Sequence, residues 1–306
     1  MFRCILAELF SLGGGHALSG SVERAAAAMA AVVASVLLCL WTPWAVWLVI
    51  AVRLASIVEA GRRGRRGPID GRWRWGAMFA FVAMSYGFLA VARMTVVEAF
   101  KIPSEGMAPT LAVGDHVTSN KLTLLWSAPA RGEVVVYRMG GRDYVGRIVA
   151  VGGDEIAVRR GALRLNGRDV PQRDVGEIEY VTSDEVLRRT TRVRGRGAQE
   201  ELGGHRYRVL PGESAIFDFP SEHDGCATAV PEGAMAGHAG ASLEPGKDAG
   251  SCRVPQGTLF IVGDNRGNSN DSRFRGAFPV SSVRARVVGV WLSKHGGSFA
   301  RVGAID

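Results

Sequence analysis

The chain has 306 residues, 47% of them apolar, and a net charge of +8. That length suits one large domain or two modest ones, with apolar residues enough for a sizeable core. The charge does not mark a nucleic-acid binder: lysine occurs only at Lys101, Lys121, Lys247 and Lys294, and much of the arginine, such as Arg62, Arg63, Arg65 and Arg66, borders apolar stretches. Cations in that setting are more often topology signals than phosphate contacts.

Residues 1–24 carry Phe2, Ile5, Leu6, Leu9 and Phe10 ahead of Gly13, Gly14 and Gly15, a pattern that predicts an amphipathic interfacial segment. Residues 25–41 are apolar apart from Ser35; Thr42 and Pro43 interrupt them, and 44–58 are again apolar apart from Arg53 and Ser56. One helix across this whole stretch would be about 50 Å long, too long for a hydrocarbon core of about 30 Å, and proline breaks helices. A transmembrane hairpin of two short helices is therefore predicted over 25–60, with Trp41 and Trp44 at the far interface. A single tilted span with a buried or interfacial tail is the alternative. Residues 61–74 form an Arg-rich linker, and 75–95 contain a further apolar run, 76–92, that is nearly long enough to span. The positive-inside rule holds the linker in the cytoplasm. Whether the chain crosses once or twice before it, everything after the second run is then outside. The first strong apolar run starts too late, and lacks a small-residue cleavage signal, for a cleaved leader. The expected location is the plasma (inner) membrane, multi-pass, with the C-terminal domain on the periplasmic or extracellular side.

From residue 96 to 306 the apolar residues recur at period two or in short runs. Strands are predicted at 134–137, 144–151, 155–158, 162–165, 207–210, 259–262 and 287–292, separated by turns such as Gly152-Gly153-Asp154 and Asn166-Gly167. No long amphipathic helix follows residue 100, so the fold class is N-terminal transmembrane helices followed by an all-β, barrel- or sandwich-like domain. Cys4 and Cys39 lie in the apolar N-terminal region. Cys226 and Cys252 lie in a long Gly-, Ala- and Pro-rich loop, 222–256. That pair suggests a disulfide in an oxidising compartment; two free thiols are the alternative.

Three segments carry a resemblance. The first holds Pro103, Ser104, Glu105, Gly106, Met107, Pro109, Thr110 and Leu111, then Gly114 and Asp115. The second runs Asp143, Tyr144, Val145, Gly146, Arg147, Ile148, Val149 and on to Gly152, Gly153 and Asp154. The third is Gly263, Asp264, Asn265, Arg266, Gly267, Asn268, Ser269, Asn270, Asp271, Ser272, Arg273 and Phe274. In order and in wording these resemble the type I signal peptidases, which read P-S-x-S-M-x-P-T-L, D-Y-[IV]-K-R-x-V and G-D-N-R-D-N-S-x-D-S-R there. The resemblance spans about residues 75–295. It implies a Ser nucleophile at position 106 and a Lys general base at 146, with Ser104 and Met107 in the oxyanion region and cleft. It also implies Ser269 orienting the base, and an Asp271–Arg273 pair bracing the site and holding two strands in place. It implies neither metal nor cofactor.

Both reactive positions are glycine. Met107, Pro109, Thr110 and Leu111 fix the first register; Tyr144 and Arg147 fix the second. A Lys base works only when neutral, so it needs an apolar setting. In a regular strand Ile148 and Ala150 would share the face of position 146 and supply that setting. Ser104 lies two residues from the nucleophile position, about 6–7 Å along an extended chain, far for a replacement. Lys101, Lys121 and His116 are the other candidate groups near the motifs. His116 reads as a surface strand residue. The expected function is a catalytically inactive signal peptidase homologue that binds extended segments of exported preproteins or their signal peptides, with the lipid bilayer and an active signal peptidase as further partners and no nucleic acid. The alternatives are an active serine endopeptidase with displaced groups, and a membrane-anchored binding module unrelated to preproteins.

Overall fold

The computed structural model describes residues 22–38, 45–63, 97–184, 189–212 and 250–293, with short pieces at 16, 79, 82–83, 86–87, 218–219, 244–246 and 303–305. The chain divides into two units, 1–98 and 99–306. In the first, helices α1 (Val22–Leu38) and α2 (Ala45–Arg63) pack together. Arg24 near the start of α1 pairs with Glu59 near the end of α2, Nη1 to Oε1 at 2.5 Å, so the two run as a hairpin. Small and β-branched residues, Ala25, Val32 and Ala60, are buried, while Leu48, Ile50, Leu54 and Val58 face outward.

The expected transmembrane helices are not borne out in this unit: among the described residues no helix is long and apolar enough to cross a membrane. The reason is physical. The 17 residues of α1 extend only about 25 Å, and α2 carries Arg53, Glu59, Arg62 and Arg63. Trp41, Trp44, most of 75–95, nearly all of 1–21 and all but the first residues of the basic linker lie outside the described residues.

The second unit is all β, as expected. Its main sheet orders the strands β1 (Val97–Lys101), β2 (His116–Asn120), β15 (Val283–Leu292), β3 (Val134–Met139), β4 (Arg142–Val151), β13 (Thr258–Val262) and β14 (Phe278–Pro279), with β16 (Gly303–Ala304) beside β15. β1 and β2 are joined through Ile102, whose N–H donates to Asp115 O and whose carbonyl accepts from Gly114 N, both at 2.8 Å. Gly114 has φ +88°, and this is the two-against-one pairing of an antiparallel bulge led by a glycine. A five-stranded sheet orders β11 (Glu244–Pro245), β12 (Cys252–Arg253), β5 (Glu155–Arg159), β6 (Ala162–Leu165) and β7 (Arg168–Asp169). A third sheet pairs β8 (Gln172–Asp184), β9 (Arg189–Leu202) and β10 (His205–Val209).

β3 and β13 are apolar at nearly every position because both of their faces are covered. One core cluster packs Ile102, Met107, Leu111, Val117, Val134 and Val136. A second packs Val135, Tyr137, Ile148, Leu259, Ile261 and Phe278. A third joins Val149, Ala150, Ile156, Val158, Phe260 and Val262. Cys252 is fully buried on β12 and is disulfide-bonded; Cys226 lies outside the described residues.

Candidate functional site

The first segment leaves β1, bends at Ser104 and turns through 106–110. Met107 and Leu111 drive into the core, 3% and 0% exposed, and the Leu111 N–H donates to Met107 O at 2.9 Å. Met107 anchors this turn in the core, where its unbranched side chain packs against β2 and β15. Ser104 is exposed. The turn is tied down from beneath by the third segment. Asn265 N donates to Gly106 O at 3.0 Å, and Asn265 Nδ2 to Glu105 O at 3.2 Å. Asn268 also donates to the Glu105 carboxylate. Gly263 must be glycine here, since a Cβ on it would stand 2.3 Å from Gly106 O. A Cβ on Gly106 would lie 3.4 Å from Ser269 Oγ, an ordinary contact, so Ser269 does reach the vacated nucleophile position.

Gly146 is buried on β4 opposite Val135 of β3. The three atoms nearest a Cβ built on it would be Ile261 Cγ2 at 2.5 Å, Tyr137 Cε1 at 3.4 Å and Val262 O at 3.7 Å. The place of a side chain at 146 is therefore filled by Ile261 and, beside it, Tyr137. Burial, and then the field of Asp271, push the Tyr137 phenol well above its ordinary value, so it stays neutral. Ile148 shares the Ile261–Tyr137 cluster, but Ala150 does not. The β4–β13 register shifts between Phe260 and Ile261, which adds one residue to β4 and turns Ala150 to the opposite cluster. The apolar surround of position 146 thus comes from β13 and β3, not from Ala150. The two vacancies abut neighbouring residues of one chain segment, Ile261 and Val262 for Gly146 and Gly263 for Gly106.

Around them lies a buried polar frame that the sequence reading had not identified. Arg147, fully buried, grips Asp264 with two hydrogen bonds, Nε–Oδ1 2.9 Å and Nη2–Oδ2 2.8 Å. It also donates to Gly132 O and stacks 3.6 Å from the Tyr207 ring centroid. Thr110 Oγ1 donates to the same Asp264. One carboxylate thereby joins all three segments. Arg266 is likewise buried on Glu200, Nη2–Oε2 2.7 Å. Burial opposes its charge, but Glu200, together with Tyr207 and Asp264, outweighs that and raises the guanidinium above its ordinary value. Breaking one partner of such a pair costs about 3–5 kcal/mol, because it strands a buried charge.

Asp271 and Arg273 do form a two-pronged pair, Nε–Oδ1 2.9 Å and Nη2–Oδ2 2.8 Å. They brace one loop, however, and not two strands. Asp271 accepts from Gly263 N at 2.9 Å and Arg273 donates to Arg266 O at 2.7 Å, so the pair folds 263–273 back on itself. Among the described residues no replacement base appears beside Gly146. His116 packs edge-on to Trp291 on β2, which β15 and β3 separate from β4. Lys101 is exposed at the end of β1 and Lys121 follows β2, while Lys247 and Lys294 lie outside the described residues. Among the described residues no cluster of three His, Cys, Asp or Glu is placed to hold a metal.

The profile of the family described as "Signal peptidase, peptidase S26" matches residues 72–292. The chain belongs to that family. Among its relatives is a signal peptidase I of Pseudomonas fluorescens, 27% identical over 248 residues, which covers 70% of this chain and 74% of that one. A signal peptidase I of Aquifex aeolicus is 28% identical over 217 residues, 66% of this chain and 78% of the other. An "Inactive signal peptidase IA" of Staphylococcus aureus is 38% identical over 69 residues, 22% of this chain and 40% of that relative. The signal peptidase segments are thus assembled in this chain around two glycines. Arg147 and Asp264 had a usable signal. An arginine between strand residues as apolar as Val145, Ile148 and Val149 must find a buried carboxylate.

Proposed function

We propose that this signal peptidase family member is catalytically inactive and binds extended segments of exported preproteins. The observation that carries the reading is the filled site at Gly146, where Ile261 occupies the space of any side chain. Gly106, in turn, has no hydroxyl to act as nucleophile. An active peptidase with displaced groups finds little support, because Ser104 is exposed at a bend and no lysine or histidine is described beside Gly146. The relative named as inactive is consistent with loss of activity within the family.

A binding surface remains. β13 pairs with β4 only at 147–151, whereas β3 pairs with 142–147. The first half of β4 therefore has one edge that no described strand covers. An extended peptide adds to such an edge by main-chain hydrogen bonds. The chain is read as anchored in the plasma membrane by its N-terminal apolar segments, with the β unit on the secretory side and Cys252 bridged to Cys226. An active signal peptidase is a further candidate partner. The test incubates the purified full chain with a preprotein carrying an Ala-x-Ala site, with a photoreactive group at Arg142→Cys. Crosslinking without cleavage is expected. Cleavage at the Ala-x-Ala bond, or no crosslink to any exported segment, overturns the reading.

A further inference from the structure

Charge is unevenly matched at the start of β4. Asp143 lies opposite Arg138 in the β3–β4 pairing and is gripped by it, Nε–Oδ1 2.9 Å and Nη2–Oδ2 3.2 Å. One guanidinium thus engages both carboxylate oxygens. A second, that of Arg284, is aimed at the same carboxylate, but its Nε stops 3.9 Å from Oδ1, outside hydrogen-bond range. That Nε is buried and has no hydrogen-bond partner. An irregularity puts Arg284 there. In the β15–β3 pairing Val283 lies opposite Tyr137 and Ala285 opposite Val136, so Arg284 is an extra residue without a partner on β3. A bulge of this kind re-aims a side chain. From β15 the arginine reaches over β3 to β4, the strand whose outer edge is open at 142–146. Its side chain is only 32% exposed. A guanidinium so far withdrawn from water, with a donor unmatched, is completed by an acceptor, and a carboxylate fits its planar fork best.

We propose that the extended segments taken up on the edge of β4 carry an acidic side chain, and that Arg284 holds it. The proposal rests on the edge-binding reading above. A strand added beside β4 lies about 4.8 Å away and sets every second side chain on the face that carries Asp143 and Val145. An acid of that strand placed next to Asp143 is therefore within reach of the arginine, and the side chain two residues along meets Val145. A lysine in the same place meets two guanidiniums against a single carboxylate, which already answers Arg138. The open edge supplies main-chain bonds to any sequence; the surplus guanidinium selects among them.

The test titrates the purified full chain, in detergent micelles, with a fluorescein-labelled peptide of alternating alanine and serine that has glutamate at its centre, and with the same peptide carrying glutamine or lysine there. The glutamate peptide is expected to bind about tenfold tighter than the glutamine peptide, and the lysine peptide most weakly. In Arg284→Gln the glutamate and glutamine peptides should bind alike. In Arg284→Glu the order should reverse in favour of lysine, a gain that an unfolded variant could not give. Asp143→Asn removes the competing carboxylate and should widen the preference for glutamate. Free glutamate at the peptide's concentration should displace nothing. If the parent binds all three peptides alike, the proposal fails and edge binding stands. The proposal also fails if the glutamate preference survives in Arg284→Gln, if Asp143→Asn leaves it unchanged or narrows it, or if free glutamate displaces the peptide. If the parent binds no peptide at all, edge binding fails and takes the proposal with it.

Discussion

Gly146 and Ile261 decide what it would take to refill the site. A serine at 106 meets only ordinary contacts and no left-handed backbone, so Gly106→Ser is expected to change stability by no more than about 0.5 kcal/mol. Gly146→Lys must displace Ile261 and is expected to cost about 1–3 kcal/mol through overpacking. Ile261→Ala alone should cost about 2–5 kcal/mol through the cavity it opens. Combined, the two should cost less than their sum, because each relieves the other. Denaturant unfolding of the four species measures that coupling, and strict additivity would sink the filled-site account. In a preprotein assay, Gly106→Ser with Gly146→Lys should stay inactive until Ile261 is also reduced. The vacancies were legible in the sequence because Met107 and Tyr144 flank them in register. Their filling was not, because Ile261 is brought there by a strand pairing between distant segments. The composition of Gly263, Asp264 and Asn265 fits a tight turn; only the fold shows Asp264 as the acceptor for Thr110 and Arg147.

At the scale of elements, the turn between β4 and β5 is closed by Asp154. Its carboxylate accepts from Val151 N at 2.9 Å, from Arg131 Nε at 2.7 Å and from Asn166 Nδ2 at 2.9 Å. Burial alone would raise its pKa, but the bonds from Arg131, Asn166 and Val151 outweigh it and hold the group below the ordinary carboxylate range. A depressed folded value means the stabilisation is complete above the unfolded pKa of about 4 and fades as pH falls through the lower folded value. Asp154→Asn should therefore cost about 1–3 kcal/mol at neutral pH, and melting curves of parent and variant should converge below about pH 4. A constant difference down to the acid limit would contradict this. The strands with apolar runs, such as β3, β5 and β13, were readable from their pattern. β8 and β9 were not. Their exposed positions alternate acids with arginines, as in Glu177 opposite Arg196 and Glu179 opposite Arg194, and Gly195 and Gly197 sit where a strand signal would need bulk. The bulge in β4 was equally invisible, because Ile148, Val149 and Ala150 are all apolar and nothing in their identity marks where the alternation slips.

For the whole molecule, orientation is the property most open to test. With the Arg-rich stretch 61–74 held in the cytoplasm, a reporter fused after Asp306 that is active only in the cytoplasm should be silent. Strong activity would place the β unit on the wrong side. The sheet order then sets a timetable for export. β15 lies between β2 and β3, although it is made after nearly everything else in the chain. Asp264, which closes the frame on Thr110 and Arg147, also arrives late. While the N-terminal strands are crossing the bilayer, β2 and β3 lack the strand that will lie between them, and Arg147, which ends up buried, has no counter-charge. Such long-range closure is slow. The emerging chain must therefore wait, unfolded and open to chaperones and proteases, until its last strand slides in between two of its first.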